Sequence, residues 1–106
     1  MLANALNMLL HLHSRPATIS RPGSKLTGIV RAAPSNYFRN LQGPSDSVFH
    51  GREFVISKAA LDVISYGPIK RGDRLTFSDI GVVTINEPIE LYDLGGAIMG
   101  YRVRTN

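Results

Sequence analysis

The alternation of apolar and polar residues along the chain predicts a fold built mainly from short β-strands. Turn residues such as Pro22-Gly23, Gly67-Pro68 and Gly95-Gly96 separate the strand-like runs. The predicted strands are residues 17–20, 25–33, 52–57, 82–86, 89–91 and 97–104, and residues 69–77 predict a turn that leads into a further strand. Turn signals about every 8 to 12 residues are typical of small barrels and sandwiches. We therefore expect an all-β fold, a small antiparallel β-barrel or sandwich with an N-terminal helix and a long loop.

Local sequence signals predict how several of these strands are connected. The segment 21–24 contains Pro22-Gly23 and predicts an antiparallel hairpin between the first two strands. Residues 58–64 directly follow a strand and predict one or two helical turns. Glu87-Pro88 separates the strands predicted over 82–86 and 89–91, because proline interrupts a hydrogen-bonded ladder.

Residues 2–13 form the one segment whose apolar spacing is helical. The leucines that give this spacing are Leu2, Leu6, Leu9, Leu10 and Leu12. Pro16 ends the run, because the residue before a proline favours extended geometry. The segment lacks the basic start of a signal peptide and is too short and too polar to span a bilayer. We expect residues 1–14 to be a helical segment that docks through Leu6, Leu9 and Leu10, and residues 15–106 to be one barrel domain.

Residues 35–50 show no sustained periodicity and predict a long loop. Loops of this length are uncommon in compact domains and are usually functional or disordered. This loop contains Tyr37, Phe38, Arg39 and Phe49, residue types that are enriched in the centres of protein interfaces. We expect the loop to contact a partner or to line a channel, although its aromatic side chains could instead pack on their own sheet.

Length and composition limit how such a chain can be stabilised. A chain of 106 residues with 43% apolar and 19% charged residues is long enough for one folded domain and too short for two cores. It contains no cysteine, which excludes disulfides and thiolate metal sites. The domain must therefore be stabilised by its own core or by neighbouring subunits.

Charge is distributed unevenly along a chain whose net charge is +4. Residues 1–45 contain basic side chains and no acidic ones, whereas residues 79–93 contain acidic side chains and no basic ones. A mixed, solvated surface is one interpretation of this asymmetry. The other is a pair of complementary surfaces, suited to head-to-tail stacking of neighbours or to nucleic acid passing nearby.

The sequence offers little chemistry for catalysis or metal binding. The histidines are His11, His13 and His50, and no acidic or cysteine ligand accompanies them at metal-site spacing. The carboxylates that flank predicted turns are Asp73, Asp79, Glu87 and Glu90, which is ordinary in β proteins. Arg71-Gly72-Asp73 spells a cell-adhesion tripeptide, but a tight turn before a strand accounts for its glycine. We expect a protein without enzymatic activity, cofactor or metal.

From Arg52 onward the order of features resembles the head–tail joining proteins of tailed bacteriophages, also called head-completion or stopper proteins. The resemblance lies in the strand over 54–57, the segment 68–77 with Arg71-Gly72-Asp73, a hairpin through Gly81, the stretch 87–91 and a closing strand. It covers about the last half of the chain well, through short motifs, and the first half only as an architecture.

The resemblance implies a small β-barrel that forms a homo-oligomeric ring in the neck of the virion and has no enzymatic activity. Such a ring would contact a portal or adaptor protein on the head side and a tail-terminator or tail tube protein on the tail side. Packaged DNA would pass through its lumen, and no membrane would be involved. The protein would lie in the host cytoplasm during assembly and in the virion afterwards.

Two further expectations concern how the ring is built. Tyr101, Arg102 and Arg104 are predicted to form a second contact surface, and exposed strand edges could pair between subunits. A tail terminator or adaptor of the same neck is an alternative function. A nucleic-acid-binding protein of the OB type is another, although its aromatic residues would need to follow a basic groove.

Overall fold

The computed structural model describes residues 14–34 and 52–105, and strands make up most of them. The strands are Arg15–Ser20 (β1), Thr27–Pro34 (β2), Arg52–Ser57 (β3), Arg74–Phe77 (β4), Gly81–Tyr92 (β5) and Ile98–Thr105 (β6). One helix, Lys58–Val63 (α1), directly follows β3. The predicted all-β class and the short helical segment after residue 57 are confirmed.

The six strands close into an antiparallel barrel in the order β1-β2-β3-β6-β5-β4, with β4 paired to β1. This arrangement decides between the two predicted architectures in favour of a barrel. Each strand has a hydrogen-bonded neighbour on both sides, as barrel closure requires. Closure gives every strand two neighbours, but the pairing is incomplete, because β4 pairs with β5 only over residues 81–84. Pairing of exposed strand edges between subunits stays a prediction.

The hairpin predicted at Pro22-Gly23 joins β1 to β2. Ser20 pairs with Thr27, and the Arg21 backbone amide donates to the Leu26 carbonyl oxygen at 3.2 Å. Gly23 has a φ of 78°, which favours glycine because it lacks a Cβ. The turn chemistry of the sequence therefore sets the position of the first hairpin.

Alternate residues of every strand point into the barrel and form one apolar core. Its strand residues include Ile19, Val30, Ala32, Phe54, Ile56, Leu75, Phe77, Ile85 and Val103. Leu61 of α1 and Tyr66, which follows the helix, belong to the same cluster and are 1% and 3% exposed. The helix and the segment after it thus complete the barrel interior.

Helix α1 is fixed at its start by a cap and at its end by a close contact. The Ser57 hydroxyl accepts a hydrogen bond from the Ala60 backbone amide, as expected of an N-cap serine. A Cβ at Gly28 of β2 would lie 2.6 Å from Cδ1 of Ile64, the residue after α1. Only glycine at this position leaves room for the end of the helix against β2.

Strand β5 is continuous through Glu87-Pro88, so the prediction of two separate strands is wrong at this point. The register against β6 shifts between Ile85 and Glu87, where a bulge lies, and Pro88 pairs with Val103 beyond it. Strand β4 pairs with β5 only over residues 81–84. Within the described residues, Pro88 therefore has a paired strand on one side alone, which is a position where a sheet tolerates proline.

Several predicted features lie outside the described residues and stay predictions. They are the helix over residues 2–13 with Leu6, Leu9 and Leu10, and the loop over 35–50 with Tyr37, Phe38, Arg39 and Phe49. Within residues 14–34 and 52–105, no helix has the length and the apolar character that crossing a membrane requires.

Candidate interaction surfaces

One side of the barrel, which we call the open wall, exposes a row of uncharged β-branched residues. Thr18 on β1 lies opposite Ile29 on β2 and opposite Thr76 on β4, and Thr76 lies opposite Val82 on β5. These four side chains point outward across four adjacent strands, and Ile29 and Val82 are 69% and 59% exposed. Large apolar side chains this exposed on a regular sheet face are candidates for contact with a partner.

The rows on either side of this apolar row contain basic and hydroxyl side chains. Pro16 lies opposite Arg31 in one row. Ser20 lies opposite Thr27 and Arg74 in the other. A shallow groove of about 320 Å³ runs along the wall and is lined by Pro16, Ala17, Thr18, Ile29, Thr76, Phe77 and Ser78. The open wall therefore combines an apolar centre with basic flanks.

The buried wall is the outer face of β3 and β6 with the adjoining parts of β2 and β5. Val55 on β3 lies opposite Ala33 on β2 and opposite Arg102 on β6, in the outward-facing phase of the barrel. These three residues are nevertheless only 1%, 0% and 7% exposed, respectively. Ala33 and Val55 do not belong to the interior cluster. This side of the barrel is therefore buried on both of its faces.

Next to this row the buried wall contains a network of charged side chains. Nε of Arg104 on β6 lies 2.6 Å from a carboxylate oxygen of Glu53 on β3, and its Nη1 lies 3.3 Å from one of Glu87 on β5. The Arg104 and Glu53 side chains are 18% and 17% exposed, whereas Glu87 is 59% exposed. Charge on this wall is thus neutralised within the chain.

The structure divides the three residues predicted to form a second contact surface. Tyr101 is 4% exposed and lies in the interior cluster, and this burial raises the pKa of its hydroxyl. Arg102 and Arg104 point outward on the buried wall. The three do not form one continuous surface, and their contact with a partner stays a prediction.

The β1–β2 turn is held to the turn that precedes β4 by a buried ion pair. Arg21 donates from Nε and Nη2 to the two carboxylate oxygens of Asp73 at 2.9 and 3.1 Å, and from Nη2 to the Pro68 carbonyl oxygen at 2.9 Å. Asp73 is 1% exposed and also accepts from the Lys70 backbone amide at 3.0 Å. The hydrogen bond to Asp73 raises the pKa of Arg21. Because this carboxylate points inward, the Arg71-Gly72-Asp73 tripeptide forms a structural turn.

Tyr66 packs beneath this ion pair. The Arg21 guanidinium lies 5.3 Å from the centre of the Tyr66 ring, within cation–π range. The Tyr66 hydroxyl is buried, and among the described residues no side chain meets the geometry of a hydrogen bond to it. Burial, followed by the nearby charge of Asp73, raises the pKa of this hydroxyl well above that of a free tyrosine.

Around the ion pair, exposed basic residues form what we call the basic rim. Its members are Lys25, Lys70, Arg71 and Arg74. Lys25 lies in the β1–β2 turn, Lys70 and Arg71 lie in the turn before β4, and Arg74 pairs with Ser20 at the end of β1. Among the described residues, no acidic side chain forms an ion pair with any of the four.

The turn between β5 and β6, which we call the hairpin tip, is acidic and apolar. Its exposed apolar side chains are Tyr92 and Leu94, at 51% and 85% exposure. The Tyr92 hydroxyl donates to the Glu90 carboxylate, and this bond raises the pKa of Tyr92. Asp93 accepts from the backbone amides of Gly95 and Ala97 at 2.8 and 3.0 Å, which fixes the turn.

The chain matches no family model and no curated protein. Within residues 14–34 and 52–105, no three His, Asp or Glu side chains are close enough to bind a metal ion together. The surfaces that remain as candidates are the open wall, the basic rim and the hairpin tip.

Consecutive apolar residues in the sequence indicate both walls, although simple alternation of apolar and polar residues does not. Ile29-Val30 and Val82-Val83 are apolar pairs within strands, and one member of such a pair must point outward. The run Phe54-Val55-Ile56 is apolar throughout, as expected of a strand buried on both faces. The predicted match between basic and acidic segments is partly used inside the chain, because Arg15 forms an ion pair with Asp79.

Proposed function

We propose that this protein is a non-enzymatic structural subunit of the head–tail connector, or neck, of a tailed bacteriophage. Copies of the chain form a ring that joins the DNA-filled head to the tail and helps to retain the DNA. The proposal is supported by the resemblance from Arg52 onward and by the small antiparallel barrel that this resemblance implies. Its neighbours are a portal or adaptor protein on one side and a tail-terminator or tail tube protein on the other.

The open wall is the observation that carries this proposal. At about 25 cal/mol per Å² of apolar surface, leaving Ile29 and Val82 in water forgoes stabilisation that a docked partner would supply. The same strands use their inward-facing residues to build a complete core. The exposed row is thus apolar surface that the barrel does not use for its own core.

The occupant that we propose for the open wall is the hairpin tip of a second copy. The tip presents Tyr92 and Leu94 beside the acidic residues Glu90 and Asp93, and the wall presents Ile29 and Val82 in a row flanked by Arg31 and Arg74. Apolar surface meets apolar surface, and acidic side chains meet basic ones. Oppositely charged surfaces favour the correct orientation of two proteins and disfavour others.

A contact between two different surfaces of the same chain has a consequence for symmetry. Each copy keeps a free wall or a free tip after it has bound one neighbour, so the contact continues from copy to copy. Such head-to-tail contacts generate closed rings when the rotation between copies divides a full turn. The wall and the tip thus supply the kind of contact that a connector ring needs.

The test uses a virus that lacks this protein and is complemented with variants of it. We expect Ile29→Asp with Val82→Asp to yield DNA-filled heads that fail to join tails and lose DNA, as scored by negative-stain imaging. The matched control is Val63→Asp, because Val63 is 85% exposed on α1 and does not belong to the open wall. The control should join heads to tails normally.

Two outcomes would contradict the proposal at different levels. Normal joined particles from the virus that lacks the protein would remove the neck function altogether. Failure of the control to the same extent as the wall variant would keep the neck function and remove the open wall as the contact. A tail terminator of the same neck would instead give defects in tails before they meet heads.

A further inference from the structure

The basic rim concentrates four positive charges at the turns before β2 and β4. Several other basic side chains are paired within the chain, as in Arg15 with Asp79, Lys58 with Asp62, and Arg104 with Glu53. At the rim, the carboxylate bound among the described residues is that of Asp73, and Arg21 already occupies both of its oxygens. Lys25, Lys70, Arg71 and Arg74 are therefore left as four exposed positive charges around one buried ion pair.

The two rim turns are also held in a fixed arrangement. Arg21 bonds Asp73 and the Pro68 carbonyl, and the Gly72 backbone amide bonds the Ile85 carbonyl oxygen at 2.8 Å. These contacts join the β1–β2 turn to the turn before β4 and to β5. Because the turns are joined before any ligand arrives, binding would order only the side chains of the rim, which lowers the entropic cost of binding.

We propose that the basic rim binds the phosphodiester backbone of duplex DNA without reading its sequence. Closely spaced lysines and arginines on one end of a small domain provide the electrostatic footprint of such binding. Ser20 lies between Thr27 and Arg74 in one row, and the hydroxyl groups of Ser20 and Thr27 offer further donors to phosphate oxygens. This inference depends on the charges of the rim and does not depend on the neck function.

The composition of the rim favours duplex DNA over single strands and membranes. Binding of single strands depends on exposed aromatic rings on which bases stack, and the rim's aromatic neighbour, Tyr66, is 3% exposed beneath Arg21. Binding to a membrane surface usually adds exposed apolar side chains to basic ones. The rim turns contain Pro22, Gly23 and Ser24 at their exposed positions and no large exposed apolar residue.

The experiment measures binding of the full-length protein to a fluorescently labelled duplex of 30 base pairs by anisotropy, as a function of salt. Four phosphate contacts predict a slope of log K against log salt of about −3 to −4, so affinity should fall roughly 150-fold from 50 to 200 mM. Lys25→Gln with Arg71→Gln should reduce the slope to about −2 and the fall to roughly 10-fold. Arg74 is left unchanged because it also borders the open wall.

The matched control is Arg52→Gln with Lys58→Gln, which removes the same net charge away from the rim. If the control keeps the wild-type slope of log K against log salt, the rim is supported as the binding site. If the slope of the control falls as much as that of the rim variant, the proposal is overturned. Tighter binding to a single strand of the same sequence than to the duplex would overturn the assignment to duplex DNA. Binding to phosphatidylserine vesicles without binding to the duplex would overturn it in favour of membrane lipid.

Discussion

The open wall and the buried wall are formed by the same kind of strand and differ in how their outward residues meet solvent. Ile29 and Val55 are both β-branched residues in the outward phase of adjacent strands, yet they are 69% and 1% exposed. Charge follows the same division, because Arg104 on the buried wall is paired, whereas Arg74 beside the open wall forms no ion pair within residues 14–34 and 52–105. Alternation along a barrel strand therefore shows which side chains face outward, but it does not show how exposed those side chains are.

This difference teaches how a small barrel can separate stability from recognition. A wall buried on both faces contributes to stability at every position, so its residues have little freedom to change. The open wall contributes through its inward residues alone, which leaves its outward residues available for a partner. The predictions below test this separation first and then the groups beneath the basic rim, from the largest expected effect to the smallest.

Aspartate at matched positions on the two walls should have opposite consequences. Val55→Asp places a charge at a position that is 1% exposed and should lower the free energy of unfolding by about 3 kcal/mol or more. Ile29→Asp leaves its charge in water and should lower it by about 1 kcal/mol or less. Urea unfolding followed by circular dichroism measures both values.

The comparison of the two walls fails if these variants lose similar stability. Equal loss would mean that Ile29 supports the fold as strongly as Val55 does, and that the open wall is not a separate surface. Val63→Asp again serves as the reference for an exposed valine outside both walls.

The ion pair beneath the basic rim should make the next largest contribution. Asp73→Asn removes the charge that faces Arg21, whose side chain is 23% exposed while that of Asp73 is 1% exposed. Because Arg21 can partly reach water, we expect a loss of about 2 to 3 kcal/mol, below the range for fully buried pairs. Unfolding in urea at neutral pH gives the value. Wild-type stability would show that the two turns are held together by their backbone alone.

Tyr66 should make a smaller contribution that depends on pH. Its raised pKa means that the unfolded chain loses the phenolic proton near pH 10 while the folded chain keeps it. Stability due to this group is fully present below pH 10 and decreases as the pH rises further, by up to about 1.4 kcal/mol per unit. Between pH 8 and pH 11, the free energy of unfolding of Tyr66→Phe should fall by about 1 kcal/mol less than that of the wild type.

The same variant should change little at neutral pH, because among the described residues no side chain meets the geometry of a hydrogen bond to the Tyr66 hydroxyl. Tyr101 also has a raised pKa and is present in both proteins, so the difference between them isolates Tyr66. Identical losses at high pH would show that the Tyr66 hydroxyl reaches solvent in the folded chain.

Much of the fold could be predicted from local signals. Pro22-Gly23 determines the first hairpin, and the apolar phase of residues 52–57 determines β3, because turn chemistry and alternation act over a few residues. Continuity through Pro88 could not be predicted, since it depends on a bulge against β6 and on the absence of a β4 partner there. Closure itself depends on pairing between residues 18–20 and 74–76, which no local pattern encodes.

The candidate surfaces were less accessible to prediction, because they depend on which residues meet in space. Arg102 and Arg104 were expected at a partner surface, and their position beside Val55 and Glu53 follows from register across three strands. The turns that contain Lys25 and Arg71 are linked through the ion pair between Arg21 and Asp73, which no local pattern in the sequence indicates. Charge asymmetry along the sequence pointed to basic and acidic surfaces without showing where either would lie.

The pairing of β1 with β4, which closes the barrel, lies within the open wall. Strands β1 and β4 are joined over three residue pairs, against six between β1 and β2, so their boundary is a short seam. Thr18 and Thr76, at the centre of the open wall, lie on opposite sides of that seam. The Arg21–Asp73 ion pair already links the two sides of this seam. A neighbour docked across the wall would contact both strands and would therefore add to that ion pair in holding the barrel closed.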